Sequence, residues 1–347
     1  MAPLHWRPPG AAGPGLGETV NEASPEPRPN APSARIISLS PANTGVRLDL
    51  FLAAELDLSR GQARRLLERG AVSLGQRLLT PGDKGMVLPV SGELSVEAFV
   101  APADQRAPQP EASETQPTQL AEGAGWLAMD KPPGMPVHPL RPDETGTLLG
   151  HVAVLRPEVH GVGEGGLRSG VVHRLDVDTS GVVLVATEAE PWARIRGAFH
   201  EHRVAKRYRA IVEGKVDWPA EGLELRLPLR VARHKPALVR VANPEESARG
   251  RSREIQQTMR CIEALPGATL VEIEPKTGFL HQIRASLAHL GHPVLGDERY
   301  GATAGRAGAT RHMLHAAEVR FEEVTGAAPD PEDFCAVLAR LRGAEAD

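Results

Sequence analysis

One stretch limits what this chain can become: Val172-His173-Arg174-Leu175-Asp176-Val177-Asp178-Thr179-Ser180-Gly181, running into Val182-Val183-Leu184-Val185-Ala186. The second half is a short β-branched and aliphatic run, the pattern of a buried strand. Thr179, Ser180 and Gly181 read as the turn that feeds it. Folding such a strand requires no charge at its mouth, yet His173, Arg174, Asp176 and Asp178 crowd there. A solvated loop with a local Arg–Asp pair accounts for them in an arbitrary protein. The sharper reading is a carboxylate held at the mouth of a core strand, where an enzyme places a nucleophile.

Other stretches bear on the choice. Trp126 to Met135 reads as a strand ending in the stiff turn Lys131-Pro132-Pro133-Gly134, followed by Val137-His138. Glu190-Pro191-Trp192 opens a helix with Trp192, Ile195 and Phe199 on one face. Tyr208 to Gly214 alternates with period two, a strand in which Tyr208 shares a face with Ala210 and Val212. The separation of Tyr208 from Asp176, 208 − 176 = 32 residues, is what a strand–helix–strand return needs. Thr277-Gly278-Phe279-Leu280-His281-Gln282-Ile283-Arg284 then leads into a helix face of Ile283, Leu287 and Leu290, closed by Gly291 and Pro293. His281, His289, His292 and Asp297 lack the i,i+4 pair of a helical zinc motif, so no metal is expected there.

His173-Arg174-Leu175-Asp176 with Thr179-Ser180-Gly181 resembles the H-R-L-D-x-x-T-S-G signature of the RluA family of pseudouridine synthases. The turn at Lys131 resembles the family's x-x-K-P-x-G-x-x-V-H, and residues 206 to 214 its K-x-Y-x-A-x-V-x-G. Residues 277 to 301 resemble its T-G-R-x-H-Q-I-R-x-H-L segment and the G-D-x-x-Y-G that follows, with Phe279 for the usual Arg and Ser286 for the usual His. Leu314-His315-Ala316 and Phe321 resemble the closing strand. The resemblance spans about residues 125 to 321. It implies an α+β fold, a mixed, largely antiparallel sheet flanked by helices, and isomerisation of uridine to pseudouridine in RNA without metal or cofactor. It implies Asp176 as the catalytic carboxylate, Arg284 as its partner and Tyr208 against the uracil. Arg174, His173, Lys131 and Leu287 are the expected substrate contacts, Lys131 also supporting the loop. Asp178 falls on a variable position.

The chain has 347 residues, which suits one large domain and one small one. Its net charge is −4, so an RNA binder must concentrate its cations locally. Two regions do so. Ser59 and Gln62 form a capping box ahead of a helix that ends near Gly70. Its outward residues include Arg60, Arg64, Arg65 and Arg69, with only Glu68 interrupting. Residues 226 to 253 repeat the bias, opposed by Glu245 and Glu246 alone. Arg207 is a further expected RNA contact. The order of elements over 45–99 resembles a small RNA-binding module, the S-four-like domain.

The expected division is a disordered extension over 1–44, that module over 45–99, a flexible linker over 100–120 and a catalytic domain over 121–347. The expected partner is RNA. Family members carrying the extra domain generally modify large-subunit ribosomal RNA, with transfer RNA as the alternative. A silent RNA-binding protein on the same fold is the reading from another class. A monomer is expected, with no membrane association. Cys261 and Cys335 fit a reducing compartment, and the N-terminus lacks the apolar region of a signal peptide, so the cytoplasm is the default.

Overall fold

The computed structural model describes residues 34–98, 105–110 and 115–343. The chain divides into two compact units, 1–100 and 101–347. Residues 1–33 of the expected extension, and 100–104 and 111–114 of the expected linker, lie outside the described residues.

The first unit runs β1 (Arg35–Leu39), α1 (Leu48–Glu55), α2 (Arg60–Glu68), β2 (Val72–Leu74), β3 (Arg77–Leu78) and β4 (Gly92–Val96). Its sheet has the order β1-β4-β2-β3. Leu48, Phe51 and Leu52 of α1 and Ala63, Leu66 and Leu67 of α2 bury against Val72, Leu94 and Val96. The capping box forms: the Gln62 N–H donates to Ser59 Oγ at 3.3 Å, and the Ser59 N–H donates to Gln62 Oε1 at 2.7 Å. The expected boundary at residue 45 is too late. β1 pairs antiparallel with β4 from Arg35↔Val96 to Leu39↔Gly92 and buries Leu39. What orders this polar-flanked segment is a ladder partner far along the chain, which local composition does not reveal.

The second unit runs β5 (Thr118–Gly123), β6 (Trp126–Lys131), α3 (Leu148–Leu155), β7 (Ser180–Ala186), α4 (Ala189–His200), β8 (Ala205–Glu213), β9 (Leu223–His234), β10 (Ala237–Val241), α5 (Pro244–Ala248), β11 (Arg253–Leu265), β12 (Ala268–Pro275), α6 (Gln282–His289), β13 (Leu314–Phe321), β14 (Val324–Ala327) and α7 (Glu332–Gly343). The linker expected over 100–120 is again too long. Thr118 already belongs to β5, paired with β6, and Ala107 packs against the cluster around α3.

The strands form one sheet of order β10-β9-β11-β12-β8-β13-β7-β6-β5, with β14 on β13. The described pairings are antiparallel except β7 with β13. The α+β class with a mixed, largely antiparallel sheet is therefore borne out. All seven residues of β7 are buried, and the two faces of the sheet explain why. Val182, Leu184 and Ala186 pack with Ile195 and Ala198 of α4, while Val183 and Val185 pack with Leu148, Leu149 and Val152 of α3. A strand covered on both faces needs an unbroken apolar run.

β7 and β8 do not lie side by side. β13, more than a hundred residues later in the chain than either, inserts between them, parallel to β7 and antiparallel to β8. The register sets Ile273, Tyr208, Ala316, Gly181 and Lys131 in one row across five strands. Gly181 is what lets β7 and β13 meet. Its φ is +110°, and an added Cβ would sit 2.2 Å from the Ala316 carbonyl oxygen. Gly181→Ala is expected to destabilise the protein by about 3 kcal/mol or more. Urea denaturation would show it, and an unchanged midpoint would contradict this close approach.

Candidate active site

Two cations clamp consecutive carbonyls of the loop that carries Asp176. Lys131 Nζ donates to the Val177 and Pro132 carbonyls, both at 2.8 Å. Arg311 Nη1 donates to the Asp178 carbonyl at 3.0 Å, and its guanidinium is held in turn by Asp333. Lys131 is fully buried, and burial, with the charge of Arg311, pushes its pKa down to about 7. The turn after Asp176 closes through the Thr179 N–H on the Asp176 carbonyl at 3.1 Å. Thr179 Oγ1 lies 2.8 Å from His312 Nε2, and Ser180 Oγ 3.0 Å from His315 Nδ1. Burial, then the charges of Arg284 and Arg311, push His312 down to about 2.

Arg284 comes from the first turn of α6, whose residues from Gln282 to Leu287 are all buried. Its Nη1 donates to Asp176 Oδ2 at 2.9 Å. The rest of the fork is taken by Asp297, which accepts from Nε at 2.6 Å and from Nη2 at 2.8 Å. The Arg284 and Asp297 side chains are 6% and 2% exposed, against 25% for Asp176. Burial alone would lower the pKa of Arg284, but the bonds and charge of Asp297, then Asp176, outweigh it and raise the pKa above the usual value. Among the described residues Asp176 Oδ1 carries no hydrogen bond. One carboxylate oxygen is thus held while the other is free to meet a substrate.

Tyr208 stands on β8 and packs against the core cluster that holds Ile273, Ile283 and Leu287. Burial, then the negative charge of Asp176, raise its pKa, so it is a neutral phenol. Asp176, Arg284 and Tyr208 are therefore brought together.

Other expected contacts are not. Lys131 braces the loop from inside the core and offers no surface. The Leu184 N–H donates to His173 Nε2 at 2.9 Å, and the ring stacks on Phe199 at 4.5 Å. Burial, followed by the charges of Lys206 and Arg196, pushes His173 down to about 3, so it is a neutral acceptor that supports β7. Leu287 is completely buried and can only underlie the site. Arg174 is exposed, and among the described residues no hydrogen bond or ion pair holds its guanidinium.

The cationic surfaces are thinner than the sequence suggests. Arg60 pairs with the buried Asp49, and Arg64 with Glu68, which leaves Arg65 and Arg69. Arg230 and Arg240 both bind Glu246. Arg207 lines a groove of about 440 Å³ with Arg203, Lys206, Lys276 and Arg320, but its own charge is met by Glu318 and Glu272.

Residues the sequence reading missed are Asp297, Tyr300, His281 and Arg311. The first two stand in the Gly296-Asp297-Glu298-Arg299-Tyr300-Gly301 segment, so a motif pointed at them without assigning work. The histidines that suggested a metal are used elsewhere: His281 Nδ1 lies 2.9 Å from the Tyr300 hydroxyl, and His292 Nδ1 3.0 Å from the Glu213 carbonyl. Among the described residues no group of three or more His, Cys, Asp or Glu is placed to hold a metal ion.

Comparison with known proteins places this geometry. Residues 125–289 match the model of the RNA pseudouridylate synthases. The ribosomal large subunit pseudouridine synthase C of Escherichia coli is 30% identical over 90% of this chain and 98% of its own length. The ribosomal large subunit pseudouridine synthase D of Zymomonas mobilis is 32% identical over 82% of this chain and 88% of its own. The solved structure of human RNA pseudouridylate synthase domain containing 4 superposes with a TM-score of 0.51 at 21% identity, covering 65% of this chain and 92% of that one, a likeness of fold. Fold and sequence thus define an RNA pseudouridine synthase, an isomerase of uridine. Within that class the chain belongs to the RluA family.

Two outcomes follow from the buried charges. Asp297→Ala leaves Arg284 half-partnered in the interior and is expected to cost about 3–5 kcal/mol; a denaturation midpoint within error of wild type would contradict the shared-fork geometry. His312 is neutral when folded and protonates near 6.5 when unfolded. The unfolded state therefore binds more protons below that pH, and stability falls as pH drops. At pH 5 the loss from this residue is about 2 kcal/mol relative to pH 7.5. Denaturation of wild type and His312→Gln at both pH values should show the smaller acid loss in the variant.

Proposed function

We propose that this enzyme converts specific uridines of large-subunit ribosomal RNA to pseudouridine, with Asp176 as the catalytic carboxylate. The reaction breaks the glycosidic bond, turns the base over and re-forms the link through carbon 5. Positive charge develops on the sugar, and a carboxylate answers it either as nucleophile or by assisting loss of the 2′ proton. The observation that carries the assignment is the asymmetry at Asp176. Arg284 holds Oδ2 from the protein side, and Oδ1 is left unpaired on a carboxylate that is one quarter exposed. Tyr208, a neutral phenol, offers a flat face to the uracil and a proton donor. The target base has to leave its stack, and Arg174, unheld and exposed beside Asp176, fills the space or grips the backbone.

Ribosomal RNA is favoured as the substrate by the Escherichia coli and Zymomonas mobilis relatives, whose names give that target. The first unit supports it as an RNA-holding module, with Arg65 of α2 and Arg69 at its C-terminal cap, without an ion pair among the described residues, free to track phosphate. We further infer a monomer working in the cytoplasm. Among the described residues no helix is long and apolar enough to cross a membrane, and both cysteines are free and exposed.

Pseudouridine mapping of total RNA by carbodiimide-adduct primer extension, in cells with and without the gene, tests the reading. Specific stops in large-subunit ribosomal RNA should vanish without the gene and return with the wild-type copy but not with Asp176→Asn. The purified variant should still bind RNA. Stops lost only from transfer RNA would keep the enzyme and overturn the substrate. Full activity in Asp176→Asn would overturn the catalytic assignment.

A further inference from the structure

We propose that His281 is a positioning residue for Asp176, and that Tyr300 fixes its tautomer so that the ring presents Nε2–H to the carboxylate. This rests on Asp176 being the catalytic carboxylate. The geometry is a chain of donors. The Val239 N–H, on β10, donates to the Tyr300 hydroxyl oxygen at 2.9 Å. That oxygen lies 2.9 Å from His281 Nδ1. With Val239 already donating to it, the phenol is free to give its own proton to Nδ1. A neutral imidazole that accepts at Nδ1 carries its proton on Nε2. Nε2 is 3.8 Å from Asp176 Oδ2, the same oxygen that Arg284 holds.

The opposite tautomer fits worse on two counts. It would set two donors on the phenol oxygen and leave the phenol proton without a partner among the described residues. It would also turn an unprotonated Nε2 toward a carboxylate oxygen, lone pair against lone pair. The ring is neutral in this setting, because burial and the charges of Arg284 and Arg299 outweigh those of Asp176 and Asp297.

Two further features show that the ring is placed rather than incidental. His281 precedes α6 with φ at +50°, a left-handed conformation that a non-glycine residue adopts at a cost. Tyr300 also lies beneath the Arg284 guanidinium, 5.1 Å from its ring centroid, and its N–H donates to the Asp297 carbonyl at 2.9 Å. One short turn, Asp297 to Tyr300, therefore steadies both groups that face Asp176. The 3.8 Å separation is slightly beyond hydrogen bonding, as catalytic contacts often are before substrate closes the site. When it closes, two N–H donors converge on Oδ2 and turn Oδ1 toward the sugar.

The test uses the full chain, with unmodified transcripts of large-subunit ribosomal RNA as substrate, and measures kcat and KM. Gln places an amide N–H near the position of imidazole Nε2, whereas Asn places one near Nδ1. His281→Gln should stay within a few-fold of wild type. His281→Asn should lose about ten- to a hundredfold in kcat with KM unchanged, the worth of one hydrogen bond to a charged group. Tyr300→Phe, which frees the tautomer, should fall between them, again in kcat. Equal activity in Gln and Asn, whether both retained or both lost, overturns the proposal. Nitrogen-15 shifts of the wild-type imidazole check it without any variant, and a proton found on Nδ1 rather than Nε2 overturns it as well. Asp176→Asn in the same assay separates the two levels: if it stays active, the catalytic assignment itself fails, whatever His281 does.

Discussion

The Arg284 guanidinium is the piece on which the site depends. Bringing a cation into the interior costs several kcal/mol unless its hydrogen bonds are met. Asp297 meets two of them, through Nε and Nη2, and so fixes the plane of the group. The remaining edge of that plane then points Nη1 at Asp176. A lysine would not do this, because a single ammonium has no plane to be fixed by one partner and read by another. The division of labour explains the burial gradient. Asp297 is sealed and structural, Arg284 is nearly so, and Asp176 alone reaches solvent.

The sheet topology brings these parts to one place. β7 and β13 run parallel, so the loops that precede them emerge at the same end of the sheet. The first loop carries Asp176. The second carries Arg311 and His312, which tie that loop down through the Asp178 carbonyl and Thr179. Arg311 is anchored in turn by Asp333 of the last helix. The loop that carries the carboxylate is consequently held from the segment just before β13 and, through Asp333, from α7. Charge at the mouth of a core strand, the anomaly that first marks this sequence, sits on a loop whose Val177 and Asp178 carbonyls are held by the buried Lys131 and Arg311 side chains.

Local physics made much of this readable in advance. Helix α2 declares itself through Ser59 and Gln62, β7 through its unbroken apolar run, and α6 through Ile283, Leu287 and the Gly291 stop. The motif letters named Asp176, Tyr208 and Arg284, and the structure brings those three together. What escaped were facts that live in pairs. β1 is a strand only because β4 lies beside it. β13 between β7 and β8 is a long-range insertion that the strand–helix–strand spacing does not reveal. Arg60, Arg64, Arg207, Arg230 and Arg240 look free when counted along the chain, yet each meets a carboxylate in space. His173 and Leu287 show a different limit. A motif marks a residue as needed, but not whether it touches the substrate or holds up one that does.

The two departures from the family pattern fall in the layer beneath the site. Phe279, where an Arg is usual, packs with Leu280 and Tyr300 against Leu229, Val239 and Ile255. Ser286, where a His is usual, is fully buried, and its hydroxyl has no partner among the described residues. Position 279, ahead of α6, thus carries apolar packing, and position 286 inside the helix a small side chain. The effect is to bind the β9–β10 hairpin to the Asp297–Tyr300 turn through an apolar cluster, with the Val239 N–H seated on the Tyr300 hydroxyl. That cluster and that bond act on the same ring, the one that faces both partners of Asp176. In this chain, then, the turn that carries Asp297 and Tyr300, and through them Arg284 and His281, is packed against an apolar hairpin and not held there by an added cation.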